Sequence, residues 1–287
     1  MGLITNILFP VDFSPSCAAM GAYVKRAAAM FGARVSLLHV FDPASHSGLE
    51  MYVRAPGEIA EEREEIARER LRSFLGKEFP APEYPRLLAA GDAAIRIAEA
   101  ARKGFDLIMM PTHAGSFRRM LLGSTTAKVL NDADCPVATS LHAETIAPRP
   151  PAHREWLCAI GLSADSERVL RYAHQAAEEA HVHLRIIHAI HAADRSLPVR
   201  LELAEEMETA EMRAAREQME ALQRRVGSRA PVRIAAGPIK QALIEAARQS
   251  DADALIIGRS ARPGSEGRLQ DLTCAIVRDS PFPVISV

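Results

Sequence analysis

ILFPVDFS at Ile7–Ser14 returns as WLCAIGLS at Trp156–Ser163, and this repetition organises the whole chain. The 149-residue step that carries Ser14 onto Ser163 also carries His39 of SLLHVF onto His188 of RIIHAI, so the first strand, helix and strand follow without a gap in both halves. Further along, FDLIMMP (105–111) lies over ADALIIG (252–258) and CPVATS (135–140) over FPVISV (282–287), with the step now 147. Such a repeat means one folded unit used twice, the small length difference being absorbed in a surface loop.

Each copy alternates short apolar runs with amphipathic stretches. The runs at 6–12 and 34–41 are rich in Val, Ile and Leu, as strands buried on both faces should be. Ser14 is placed to cap a helix that runs to Gly32, a residue suited to a left-handed stop. A charged helix follows at 57–78, with Ile59, Ile66, Leu71, Phe74 and Leu75 as its inner stripe and a wet outer face supported by pairs such as Glu64–Arg68. Strands at 85–89, 106–111 and 136–141 and helices at 92–103 and 121–133 complete the copy. The second copy repeats the plan with strands at 156–162, 182–190, 231–236, 253–258 and 282–287 and helices at 164–180, 201–227, 239–249 and 269–279. The fold class is therefore α/β: two tandem doubly wound domains, each a five-stranded parallel sheet with helices on both faces and any ligand at the carboxyl ends of the strands.

Between the copies runs HAETIAPRPPAH, where Pro148, Pro150 and Pro151 neither continue a helix nor donate to a sheet. The expected division is a first domain over 1–142, a linker over 143–153 and a second domain over 154–287. The chain has 287 residues, and its 35 basic and 36 acidic side chains leave a formal net charge of −1. That balance gives no long-range attraction to nucleic acid or to an anionic membrane. The N-terminus has no basic region before an apolar run, and no stretch is long and apolar enough to span a bilayer. A soluble, unsecreted, cytoplasmic protein is expected.

The segments VDFSP, LLHVF, MMPTHAG, LLGSTTAKVL and DCPV make the first copy resemble a universal stress protein domain. The second is similar through IGLSADSERVLRYA, LIIGRSAR and SPFPVISV. The resemblance implies a fold like that of the adenine nucleotide α-hydrolases, a role in stress response, and in some members ATP held by three features. These are an Asp after the first strand, a small apolar residue on the second strand, and a Gly-x-x-Gly loop that reaches Gly-Ser or Gly-Thr nine residues later. Glycines let backbone N–H groups approach phosphate, and a helix N-terminus completes the cradle.

On that resemblance, Asp12 with its neighbours Pro10, Val11 and Phe13 takes the Asp position, Val40 the second-strand position, and Gly123, Ser124 and Thr125 the end of the loop. Thr112, His113 and Gly115 belong to the start of the loop, which departs from the pattern. Pro111 and Ala114 stand at the glycine positions, and eight residues rather than nine separate Ala114 from Gly123. Gly115 offers a shifted nest, and His113 or Arg118 a direct phosphate partner. In the second copy Gly161 replaces the Asp, and Ala261, Gln270 and Asp271 fill loop positions beside the surviving Gly258. Arg259, Arg262 and Arg268 surround that crevice and leave another anion open.

Two readings follow: a non-catalytic stress protein with a degenerate nucleotide site in the first domain, ATP and any Mg entering together, or an interaction protein without ligand. ATP binding with weak hydrolysis is the alternative, although no general base is placed for it. The resemblance further implies that the two copies pack about a pseudo-two-fold axis, with a homodimer of chains left open. Cys17, Cys135, Cys158 and Cys274 lack CxxC spacing and are expected inside helices or strands as small core residues. His181, His183, His188 and His191 cluster in sequence. A shared face for His181 and His183 on a strand would suggest metal, but His188, matched by His39, is expected as a core strand residue.

Overall fold

The computed structural model describes residues 2–43, 56–112, 122–141, 150, 153–190, 201–259 and 266–287. The chain divides into two compact units, Met1–Ile146 and Ala147–Val287. Most of the stretch expected as a linker, 143–153, lies outside the described residues.

The first unit runs β1 (Asn6–Pro10), α1 (Pro15–Phe31), β2 (Arg34–Phe41), α2 (Pro56–Ser73), β3 (Arg86–Ala90), α3 (Ala93–Ala101), β4 (Leu107–Pro111), α4 (Ser124–Asp132) and β5 (Val137–Ser140). Its strands are parallel, in the order β3-β2-β1-β4-β5. The second unit runs β6 (Glu155–Ala159), α5 (Ser166–Glu179), β7 (His183–Ile190), α6 (Leu201–Val226), β8 (Val232–Ala236), α7 (Ile239–Gln249), β9 (Ala254–Ile257), α8 (Glu266–Asp279) and β10 (Val284–Ser286). Here too all pairs are parallel, in the equivalent order β8-β7-β6-β9-β10. The expected fold class is found in both halves.

Register repeats as well as order. Asn6 pairs with Arg34 and Ile7 with Leu107, and their counterparts Glu155 and His183, and Trp156 and Ala254, pair in the same way. A part-buried acidic staple fixes that register at the strand starts. Asp106 Oδ2 accepts from Thr5 N at 2.8 Å, Thr5 Oγ1 at 2.7 Å and Asn6 N at 3.0 Å, and its repeat mate Asp253 Oδ2 accepts from Glu155 N at 2.9 Å. The chain reverses strand order between β1 and β4, and between β6 and β9, so each unit carries its crevice at the carboxyl ends of those strands.

The caps at both ends of α1 are as the sequence implies: Ser14 accepts from Cys17 N, and Gly32 closes the helix at φ 61. Close approach of α1 to the chain after α2 needs Gly21, where an added Cβ would lie 2.9 Å from Leu75 Cδ1. Glu64 and Arg68 form the expected ion pair.

Four expectations need correction. Helix α2 ends at Ser73, several residues early, because the chain turns left-handed at Leu75 (φ 52) and Arg86 supplies donors to the freed carbonyls. Its guanidinium reaches Leu71 O, Phe74 O at 2.9 Å and Phe79 O at 2.7 Å. Ile66 is not in the inner stripe but 52% exposed, while Ile59, Ala67 and Leu71, which follow four-residue steps along the helix, are buried. His181 lies in a turn at φ 54, ahead of β7, and shares no strand face with His183; Cys135 likewise lies between α4 and β5, outside both. Among the described residues no helix is long and apolar enough to cross a membrane.

Candidate functional site

In the first unit the chain leaves β1 through buried Pro10 and Val11, whose N–H donates to Leu38 O at 2.8 Å. Asp12 is exposed, and its Oδ1 accepts from Ser14 N at 2.9 Å, an Asx turn that leads into the Ser14 cap. Between them Phe13 takes φ 63, a left-handed conformation costly for a bulky side chain, about 1 kcal/mol or more. Packing holds it there: its ring centroid lies 4.2 Å from that of His39 and 5.3 Å from that of Phe74, and the Arg70 guanidinium sits 4.5 Å from the ring centre.

His39, the strand neighbour of Val40, turns Nδ1 to within 2.7 Å of Val11 O. Burial pulls its imidazole below the ordinary value. The bond to Val11 opposes that shift, Arg70 adds to it, and Asp12 offsets part of it. Val40 itself is half-buried on β2, paired with Ala89.

At the end of β4, Thr112 is 2% exposed and its N–H donates to Ser140 O at 3.2 Å. Its carbonyl accepts from Gly123 N at 3.0 Å, which ties the start of α4 to the strand end. Gly123 is the N-cap of α4 and makes no side-chain cap hydrogen bond; behind it Ser124 is exposed and Thr125 half-buried. Pro111 O accepts from Thr126 Oγ1 at 3.2 Å. The structure thus groups Pro10–Phe13 with His39 at the end of β1, and Thr112 with Gly123 at the end of the adjacent β4. His113, Ala114, Gly115 and Arg118 lie outside the described residues. The cluster of His39, Arg70 and Phe74 was not legible beforehand: Arg70 reads as one more charge on a wet helix face, and only the fold brings it to Phe13.

The second unit rebuilds the same junction. Ile160 N donates to Ile187 O at 2.9 Å, His188 Nδ1 lies 2.7 Å from Ile160 O, and Leu162 takes φ 52. His188 is a strand residue, as expected, although half-buried. Three positions carry smaller side chains than their counterparts, Gly161 for Asp12, Leu162 for Phe13 and Ala189 for Val40. A cavity of about 840 Å³ opens here, with all three of those residues on its wall together with Gly258. Arg259 is half-buried and its N–H donates to Val287 O at 3.0 Å. Ala261 and Arg262, and the side chains of Arg268, Gln270 and Asp271, lie outside the described residues.

A sequence profile of the universal stress protein family matches residues 4–139 and again 154–287. The chain belongs to the universal stress protein family. A universal stress protein of Thermus aquaticus is 30% identical over 137 residues, spanning 47% of this chain and 97% of that relative. Among solved structures, a universal stress protein from Archaeoglobus fulgidus covers 99% of this chain at TM-score 0.66 and 22% identity, with 96% of its own length matched. A functionally unknown protein from Pseudomonas aeruginosa covers 99% at TM-score 0.63 and 20% identity, with 92% of its length matched. At such identities these structures share the tandem fold with this universal stress protein.

Within this family member the buried thiols are poor nucleophiles. Burial drives both the Cys17 and Cys158 thiols far above their ordinary value, and Asp12 adds to the effect at Cys17. Among the described residues no group of three or more His, Cys, Asp or Glu side chains is placed to hold a metal ion.

Proposed function

We propose that this universal stress protein is a non-catalytic stress-response protein whose first unit binds an adenine nucleotide, with magnesium entering only with it, and whose second unit does not. The observation that carries this reading is the start of α4. Gly123 leaves the helix without a side-chain cap, and its link to Thr112 anchors that N-terminus at the end of β4, next to β1, the strand that leads into Asp12. An uncapped helix start favours an anion through its N–H groups and dipole. Asp12 would hold the ribose hydroxyls, Val40 would face the base, and Gly123, Ser124 and Thr125 would meet phosphate.

The fit is partial. Pro111 offers no N–H where the family pattern has glycine, so one donor is lost and affinity should be modest. The sequence places no general base for hydrolysis, and the reading is therefore binding without hydrolysis. In the second unit Gly161 leaves no carboxylate for a ribose.

Isothermal calorimetry with ATP and magnesium tests the proposal. Saturable heat at one nucleotide per chain, lost in Asp12→Ala, is expected. Absence of heat at high micromolar nucleotide would favour the reading without ligand, and phosphate release that falls in Ser124→Ala would favour hydrolysis.

A further inference from the structure

The cavity of the second unit lies where a nucleotide would sit in a family member that binds one, yet its chemistry is different. Its volume of about 840 Å³ is that of a small-molecule site. The wall is built from aliphatic side chains of every layer, among them Ile160, Leu162, Ile190, Leu243 and Ile276. Among the described lining residues there is no Lys or Arg, and the one carboxylate, Glu211, is exposed at the rim on α6. Among the described residues of the wall, a phosphate here would exchange its hydration for mainly apolar side chains and the like charge of Glu211.

Among the polar groups on the wall, one asks for a donor. His188 lines the cavity with Nδ1 committed to Ile160 O, so in the neutral ring that nitrogen donates and Nε2 is left as an acceptor. The Ser166 hydroxyl accepts from Ser163 N at 2.8 Å and is engaged in the turn before α5. Ser163, Thr273 and the exposed Gln218 also line the cavity, so the wall is mainly apolar, and His188 Nε2 is the acceptor whose role a hydrogen bond fixes.

We propose that the second unit binds an uncharged, predominantly apolar small molecule carrying one hydrogen-bond donor, received by His188. This site is separate from the nucleotide crevice of the first unit. At three positions of this wall Gly161, Ala189 and Leu162 stand where the first unit has Asp12, Val40 and Phe13: each exchange trims volume, and the first also removes a charge. Gly161 is the position to test, because an added Cβ there would meet nothing within 4 Å, so a side chain enters open space without displacing a neighbour.

N-phenyl-1-naphthylamine, neutral and apolar with a single N–H, is a suitable probe on the full chain. Its fluorescence should rise saturably at one molecule per chain. Gly161→Leu should weaken binding at least tenfold, and Ala214→Trp, on the α6 wall, should do so as a second filling variant that leaves the strand–helix junction alone. Asp12→Ala should bind the probe as the parent does, which separates failure here from failure of the nucleotide reading. A stoichiometry well above one, equal binding in both filling variants with unchanged melting temperatures, or competitive displacement by ATP would each overturn the proposal.

Discussion

His39 Nδ1 lies 2.7 Å from the carbonyl oxygen of Val11, and the second unit repeats the bond at the same length between His188 and Ile160. The carbonyl belongs to a buried residue past the end of its strand, where the ladder no longer supplies a donor, so the imidazole supplies one. Because burial holds the His39 pKa below its ordinary value of 6.5, the unfolded chain takes up a proton that the folded chain refuses. Stability from this group is therefore present above pH 6.5 and lost as pH falls from there through the lower folded value. His39→Ala should destabilise the first unit by about 1–3 kcal/mol at neutral pH, as an acceptor is stranded. Urea denaturation at pH 7.5 and again at pH 5.5 should show the gap between parent and variant narrowing in acid; a constant gap would contradict the assignment.

Asp106 gathers three donors from Thr5 and Asn6, each within 3.0 Å, and sets β1 against β4 at the starts of both strands. Removing the carboxylate leaves two backbone N–H groups without it at a part-buried strand start. Asp106→Ala should cost about 2–3 kcal/mol, given that hydrogen bonds to a charged acceptor contribute more than neutral ones. Asp106→Asn, which keeps an oxygen acceptor, should recover part of the loss. The midpoint of urea unfolding followed by circular dichroism measures both; an alanine variant as stable as the parent would remove Asp106 from any structural role.

The repeat is why so much of the fold was legible. Two offsets sufficed to align strands, helices and even register, since a buried parallel strand must present the same apolar run in both copies. What escaped was set by contacts distant in sequence. Nothing local says that Arg86 will cap α2, that Phe13 will accept φ 63 because His39, Phe74 and Arg70 hold it, or that Ile66 points outward while Ala67 is buried. The site divided similarly. Asp12, Val40 and Gly123 could be named from the resemblance to universal stress protein domains, whereas the second unit's cavity is lined at Gly161, Leu162 and Ala189 by several modest reductions in side-chain size, each unremarkable alone.

Gly161 offers a test of how far the second unit has moved from the first. Its backbone is outside the positive-φ region, unlike Gly32 at φ 61, and a side chain there meets open space. Gly161→Asp should therefore change stability by less than about 0.5 kcal/mol, or under roughly 2 °C in melting temperature for a unit of this size. Gly32→Ala, by contrast, forces a Cβ into a left-handed cap and should cost about 1 kcal/mol. Restoring the carboxylate should not restore a nucleotide site. Gly161→Asp adds negative charge beside Glu211 on a wall whose described residues include no Lys or Arg, so calorimetry with ATP should still report one site per chain, abolished by Asp12→Ala. A second equivalent of bound ATP in Gly161→Asp would mean that the lost Asp alone had silenced the second unit, and that phosphate donors survive there.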